Sequence, residues 1–166
     1  MSQLIFKFPF RTRYFKEDYY VSSNNFSAYK LIEGWPNWPD RWVNIFGPSG
    51  SGKSHLSKIL EKKIGDVKFL NAKDVTNDLL PDLEILKCVI IDNYNQNIDE
   101  NLIYTILNHT KHLNTFIVIN SLIPIKDMKL NLVDLKSRVG SFIDIGIELP
   151  TDELLRVIIS KSFSDK

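Results

Sequence analysis

From residue 41 onward, short apolar runs alternate with longer segments whose apolar side chains recur at helical spacing. The runs "RWVNIF", "VKFL", "KCVIID", "TFIVIN" and "FIDIGIEL" read as five strands. "KCVIID" has the continuous apolar character of a strand covered on both faces. Between the runs, the pattern predicts a helix over Lys53–Ile64 and a short helix in "NAKDVTNDLL" that stops near Pro81. It predicts another in "DENLIYTILNHTKHL", with apolar residues at 102, 103, 106 and 107, and a short one in "NLVDLKSRV". A last helix, "TDELLRVIISKSF", is started by Thr151 with Glu153 nearby. Ahead of the first strand, "SSNNFSAYKLIEGW" has the marks of a capped helix. Asn24 or Asn25 can cap it and Gly34 can stop it. "WPNWPD" is a turn-rich connector, because each proline disfavours helix in the residue before it. Strand–helix alternation implies right-handed crossovers and a largely parallel sheet, so the fold class is α/β.

Residues 1–18 do not share this order. They hold Pro9 and a charged cluster from Arg11 to Asp18. The opening "MSQLIFKFPF" concentrates apolar side chains where a chain end ordinarily frays. Alternation of Leu4, Phe6 and Phe8 with Ile5 and Lys7 fits a first strand. The same residues at an extreme terminus, before a proline, fit a hook for another protein equally well.

At 166 residues the chain is long enough for one domain with a substantial core. Its 21 Lys+Arg against 20 Asp+Glu leave a net charge of +1, which argues against autonomous DNA binding. The single cysteine, Cys88, excludes an intramolecular disulfide and reads as a small buried thiol. No apolar run has the length of a membrane span, and the N-terminal run is a poor signal peptide. The expected location is therefore cytoplasmic.

"GPSGSGKS", Gly47 to Ser54, fits G-x-x-x-x-G-K-[ST], with a strand feeding the loop and a helix leaving it. The glycines (Gly47, Gly50 and Gly52) let backbone N–H groups turn inward around phosphate oxygens, with Pro48, Ser49 and Ser51 between them. The helix N-terminus adds partial positive charge. Lys53 is placed to reach the β- and γ-phosphates and Ser54 to ligate Mg²⁺; His55 follows directly and joins the nucleotide-binding set. Asp92, at the carboxyl end of "CVIID", is the second candidate Mg²⁺ residue; a strand-end turn residue is the plainer alternative. Asn93 follows it. An amide there can position water but cannot take its proton, so nucleotide binding with weak or absent hydrolysis is expected. Asn120 and Ser121 end the fourth strand, where they can sense a γ-phosphate or serve as turn residues. Nothing resembles the acceptor site or Arg-rich lid of a small-molecule kinase.

"YYVSSNNFSAYKLI", "GPSGSGKSHL", "VIIDN" and "LVDLKSRV", with their spacing, resemble the DnaA-related AAA+ proteins over nearly the whole chain. The pairing of "IDN" with "DLKSR" looks like the Hda-type regulators. The resemblance implies an AAA+ P-loop domain that binds ADP or ATP with Mg²⁺, docks on the replicase sliding clamp, and promotes hydrolysis of DnaA-bound ATP. A homodimer is a further expected assembly. It implies that Arg138, in "DLKSRV", is an arginine finger, of a kind worth about 10³–10⁵ in rate or about 4–7 kcal/mol. Without the family, Arg138 reads as a surface residue or a partner of Asp134. The resemblance puts Tyr20, Val21 and Asn25 near the adenine and makes "QLIFKF" a clamp-binding peptide. Gln3 would hydrogen-bond in the clamp pocket while Leu4, Phe6 and Phe8 fill it. The implied domains are 1–18 as clamp-binding segment and linker, 19–150 as AAA+ core, and 151–166 as the start of a truncated lid. An autonomous DnaA-like or helicase-loader ATPase is the alternative.

Overall fold

The computed structural model describes residues 19–149, together with residues 152, 156, 159, 160 and 163. The candidate hook (Gln3, Leu4, Phe6 and Phe8) and the expected helix start at Thr151 and Glu153 lie outside the described residues.

The described chain runs α1 (Phe26–Glu33), β1 (Trp42–Phe46), α2 (Lys53–Ile64) and β2 (Val67–Asn71). It continues through α3 (Leu79–Asp82), β3 (Cys88–Tyr94), α4 (Glu100–Lys111), β4 (Phe116–Ser121), α5 (Val133–Val139) and β5 (Ile143–Gly146). The strands form one five-stranded sheet in the order β2-β3-β4-β1-β5, parallel throughout. Because every strand is parallel, all carboxyl ends meet at one edge, and functional loops gather there.

Strand alternation sends Val43, Ile45, Cys88, Ile90 and Val118 into one core with Leu56, Leu60 and Ile64 of α2 and Ala28, Tyr29 and Ile32 of α1. Trp42, Val89, Ile91, Ile117 and Ile119 enter the other, against Ile103, Ile106 and Leu107 of α4 and Leu135 and Val139 of α5. Burial on both faces is why "KCVIID" carries no polar alternation before Asp92.

Some local expectations change. "NAKDVTNDLL" is not one helix: a 3₁₀ turn, Ala72–Asp74, is followed by the single turn of α3. Pro81 lies inside that turn rather than after it, at a first-turn position where no helical N–H bond is required. Asn25 occupies the N-cap position of α1, but its side chain does not cap. It accepts from the Ser22 N–H at 3.0 Å and donates to the Tyr20 carbonyl at 3.0 Å, bracing the incoming segment. Gly34 does end α1, as expected, though in right-handed geometry, φ −78°. β5 is shorter than "FIDIGIEL", and β3 runs two residues past Asp92.

Asn44, in the middle of β1, is fully buried and polar. Its amide donates to the Ile119 carbonyl at 2.9 Å and to Ser121 Oγ at 2.8 Å, and its Oδ1 accepts from the Ile125 N–H at 2.9 Å. Ser121 Oγ in turn donates to the Ile123 carbonyl at 2.7 Å. One side chain thus pins the turn that leaves β4. Asn44→Ala strands these partners in the core and should lower unfolding free energy by about 2–3 kcal/mol. Urea denaturation measures this, and a loss under about 0.5 kcal/mol would remove Asn44 from that role.

Candidate phosphate-binding site

The loop between β1 and α2 owes its shape to backbone that only glycine adopts easily. Gly50 and Gly52 have φ of +83° and +100°. Gly47 is required for a different reason: a Cβ there would stand 2.1 Å from the Ile147 carbonyl oxygen, where the chain leaving β5 crosses the loop. Ser51 is buried, and its hydroxyl has no hydrogen-bond partner.

Lys53 begins α2. Its Nζ donates to the Gly47 and Pro48 carbonyls at 2.7 and 3.0 Å, folding the ammonium over the loop. Burial holds Lys53 below the usual lysine range, and the nearby Asp92 carboxylate pulls it back up. One residue on, Ser54 Oγ donates to Asp92 Oδ2 at 2.7 Å. Asp92 sits at an irregularity in β3. Ile91 pairs with Ile119 and Tyr94 with Ser121, so β3 carries one extra residue. Asn93 takes up the slack with φ +59° and points outward, exposed. The bulge leaves Asp92 with Ile90 on the α2 face and returns Tyr94 to the opposite core.

Asn120 and Ser121 close the end of β4, and alternation turns them to opposite faces. Asn120 Nδ2 donates to Asp92 Oδ1 at 3.0 Å and to Ser57 Oγ at 2.9 Å; Ser121 faces Asn44. Ser49, Gly50, Gly52, Lys53, Ser54, His55, Asn93, Tyr94, Asn95, Asn120, Ser121 and Leu122 line a cleft of about 500 Å³. Among these lining residues none is Asp or Glu. A serine hydroxyl and an aspartate oxygen in contact at the mouth of this loop are the hard oxygen donors that suit Mg²⁺.

Tyr20, Val21 and Asn25 are buried and do not line the cleft. Tyr19, between them and the loop, packs its ring edge-on to His55 with centroids 5.1 Å apart. The segment is fastened on its other side, where Asn24 Nδ2 donates to the Leu149 carbonyl and the Glu148 N–H donates to the Asn24 carbonyl. Arg138 stands apart from the cleft on α5. Its guanidinium donates to Asn108 Oδ1 at 2.9 Å and lies 5.7 Å from the Tyr104 ring centre, both on α4. Among the described residues it makes no ion pair with Asp134.

Two contributors were missed in the sequence. Asn44 is a strand-depleted residue type inside an apolar run, and Ser57 is a polar residue in the apolar stripe of Leu56, Leu60 and Ile64. Those mismatches were the available signals.

No protein-family model matches the chain, and no curated protein matches it. Solved structures do match. Domain III of the Thermotoga maritima replication initiation protein DnaA aligns with TM-score 0.72 at 19% identity, over 95% of this chain and 76% of that one. DnaA from Aquifex aeolicus, bound to AMPPCP, aligns with TM-score 0.68 at 21% identity, over 95% of this chain and 56% of that one. A putative primosome component from Streptococcus pyogenes serotype M3 aligns with TM-score 0.59 at 19% identity, over 78% and 81% of the two chains. The chain therefore spans most of the isolated DnaA domain but just over half of the longer DnaA chain. The fold is that of a P-loop NTPase domain. Within that class it is the AAA+ type, with the five-stranded parallel sheet and flanking helices of DnaA domain III. Among the described residues no helix is long and apolar enough to cross a membrane.

Tyr94 gives the site a pH signature. Its hydroxyl is buried without a partner, and burial, reinforced by Glu100, pushes its pKa up from 10.0 to about 12. The unfolded tyrosine loses its proton first, so this contribution to stability is complete below pH 10 and is lost as pH rises through about 12. Tyr19 and Cys88 are pushed in the same direction by burial, so they sustain part of the alkaline loss. Tyr94→Phe should therefore flatten the fall in stability above pH 10 without abolishing it. At pH 7 it should raise stability by about 1 kcal/mol, by removing an unsatisfied hydroxyl. Urea titrations at pH 7 and 11 give both readings.

Proposed function

We propose that this chain is a nucleotide-binding AAA+ regulator of DNA replication initiation. In this reading it holds ADP or ATP with Mg²⁺ at the Gly47–Ser54 loop. It docks on the replicase sliding clamp through Gln3, Leu4, Phe6 and Phe8, and presents Arg138 to ATP bound on DnaA. The observation that carries the nucleotide half is the Ser54–Asp92 contact beside Lys53, at the end of a helix N-terminus and two left-handed glycines. AMPPCP bound to DnaA of the same fold supports it.

The regulatory half rests on what the cleft wall offers. Asn93 and Asn95 line the cleft, where no carboxylate does among the described residues, and an amide cannot accept the proton of an attacking water. Arg138 lies outside its own cleft, as a residue acting on a neighbour's nucleotide must. An autonomous ATPase, as in helicase loading, is the second reading. It is favoured by the structural likeness to DnaI, with TM-score 0.58 at 11% identity over 78% of this chain and 84% of that one. It is also favoured by the intact set of Lys53, Ser54 and Asp92.

ATP hydrolysis measured with ATP-loaded DnaA, clamp loaded on DNA and this protein separates the readings. Turnover should rise only when all three are present. It should fall about 10³-fold or more, to background, in Arg138→Ala, with clamp binding retained. Replacing Gln3 and Leu4 by Ala should abolish clamp binding and leave nucleotide binding intact. Brisk turnover by the wild-type protein alone would favour the autonomous ATPase.

A further inference from the structure

The amide of Asn120 is fully buried and has both of its N–H groups committed. One donates to Asp92 Oδ1 at 3.0 Å and one to Ser57 Oγ at 2.9 Å, while Ser57 Oγ lies 3.2 Å from Asn120 Oδ1 and donates to it. We propose that Ser57 is a positioning residue: through Asn120 it fixes the orientation of the Asp92 carboxylate that faces magnesium–nucleotide at the phosphate loop. The proposal rests on the reading of that loop as a magnesium–nucleotide site.

A carboxylate only accepts, so Asp92 selects the amide orientation with nitrogen toward it. That alone leaves the amide free to swing about its own axis. The Ser57 hydroxyl removes this freedom, because it accepts from the amide nitrogen and donates to the oxygen of the same group. Ser57 is fully buried, so water does not compete for either bond. Its position is also determined by α2. Ser57 lies three residues after Ser54, one helical turn along. One helix therefore holds both oxygens of the carboxylate: Oδ2 directly from Ser54, and Oδ1 from Ser57 by way of Asn120. The second hold does not use the Ser54 hydroxyl, so it does not depend on what that hydroxyl binds. Outer partners of this kind typically set metal affinity by about 10–100-fold.

A serine that merely satisfied a buried amide would affect stability and every form of binding alike. The positioning role predicts a split. With a fluorescent ATP analogue, Ser57→Ala should leave affinity in EDTA unchanged but need about tenfold more Mg²⁺ for half-maximal enhancement. Ser57→Thr, which keeps the hydroxyl, should restore the wild-type requirement. In the nucleotide-free, ¹⁵N-labelled protein the Asn120 side-chain protons should be protected from exchange, and should lose that protection in Ser57→Ala. If Ser57→Ala does not fold, Ser57→Cys, close in size with a weak donor, carries the same readings. An unchanged Mg²⁺ requirement overturns the proposal, as does an equal loss of affinity with and without Mg²⁺. A wild-type protein that binds no ATP in Mg²⁺ overturns the reading of the loop and this proposal with it. The Asn120 proton signal then tells separately whether the lock exists.

Discussion

A carboxylate that is 8% exposed at the end of a central strand must be met by donors, and the edge of this sheet is arranged around that demand. Asp92 meets it from two sides, Ser54 on the helix after the loop and Asn120 on the next strand. The topology makes both possible. β4 lies between β1, which launches the phosphate loop, and β3, which carries Asp92. Its terminal residues therefore stand between the two halves of the site. Had β1 and β3 been neighbours, no side chain on β4 could have come between the loop and the carboxylate. The bulge in β3 contributes as well. It keeps Asp92 in line with Ile90 on the α2 face, while releasing Asn93 into the cleft with φ +59°.

How much of this was legible in the chain follows from how local each cause is. The glycine loop was legible because its conformation depends on residues within eight positions: Gly50 and Gly52 have positive φ, and Lys53 opens the helix where the motif places it. The strands were legible because a parallel sheet covered on both faces needs unbroken apolar runs. The division of "NAKDVTNDLL" was not, because Pro81 has no hydrogen bond to lose in a first turn and so does not mark the end of one. Asn25 had the residue type of a cap but spends its side chain bracing Ser22 and Tyr20, a choice set by the packing of the incoming segment. Asn93 is visible in the sequence as an amide after Asp92, yet its left-handed backbone depends on the register with β4, which no local pattern reports.

The pair Asn120 and Ser121 illustrates the limit most clearly. Both fall at a strand end beside the loop, so both read as candidates for the same task. Strand alternation gives two consecutive residues different partners. Asn120 turns toward α2 and joins Asp92 and Ser57; Ser121 turns toward the other core and joins Asn44 and the backbone of Ile123. Both line the cleft, but only Asn120 meets Asp92, and its donors are spent on the protein.

The polar residues of this edge are therefore best understood as two closed sets on opposite faces of one strand end. Such sets contribute little net stability compared with a well-packed apolar core, and a half-satisfied set is costly. Their presence is better explained by what they hold in place. On the α2 face they hold the Asp92 carboxylate against Ser54, at the start of the helix that follows the glycine loop. On the opposite face Asn44 and Ser121 hold the turn through Ile123 and Ile125, from which the chain proceeds to α5 and Arg138. Arg138 is anchored on Asn108 and Tyr104 of α4, so its helix is held at both its approach and its end. A guanidinium anchored in this way is already ordered and loses less freedom in any further contact. The same sheet edge thus orders the Asp92 carboxylate on one side and the chain that leads to Arg138 on the other, with β4 as the element they share.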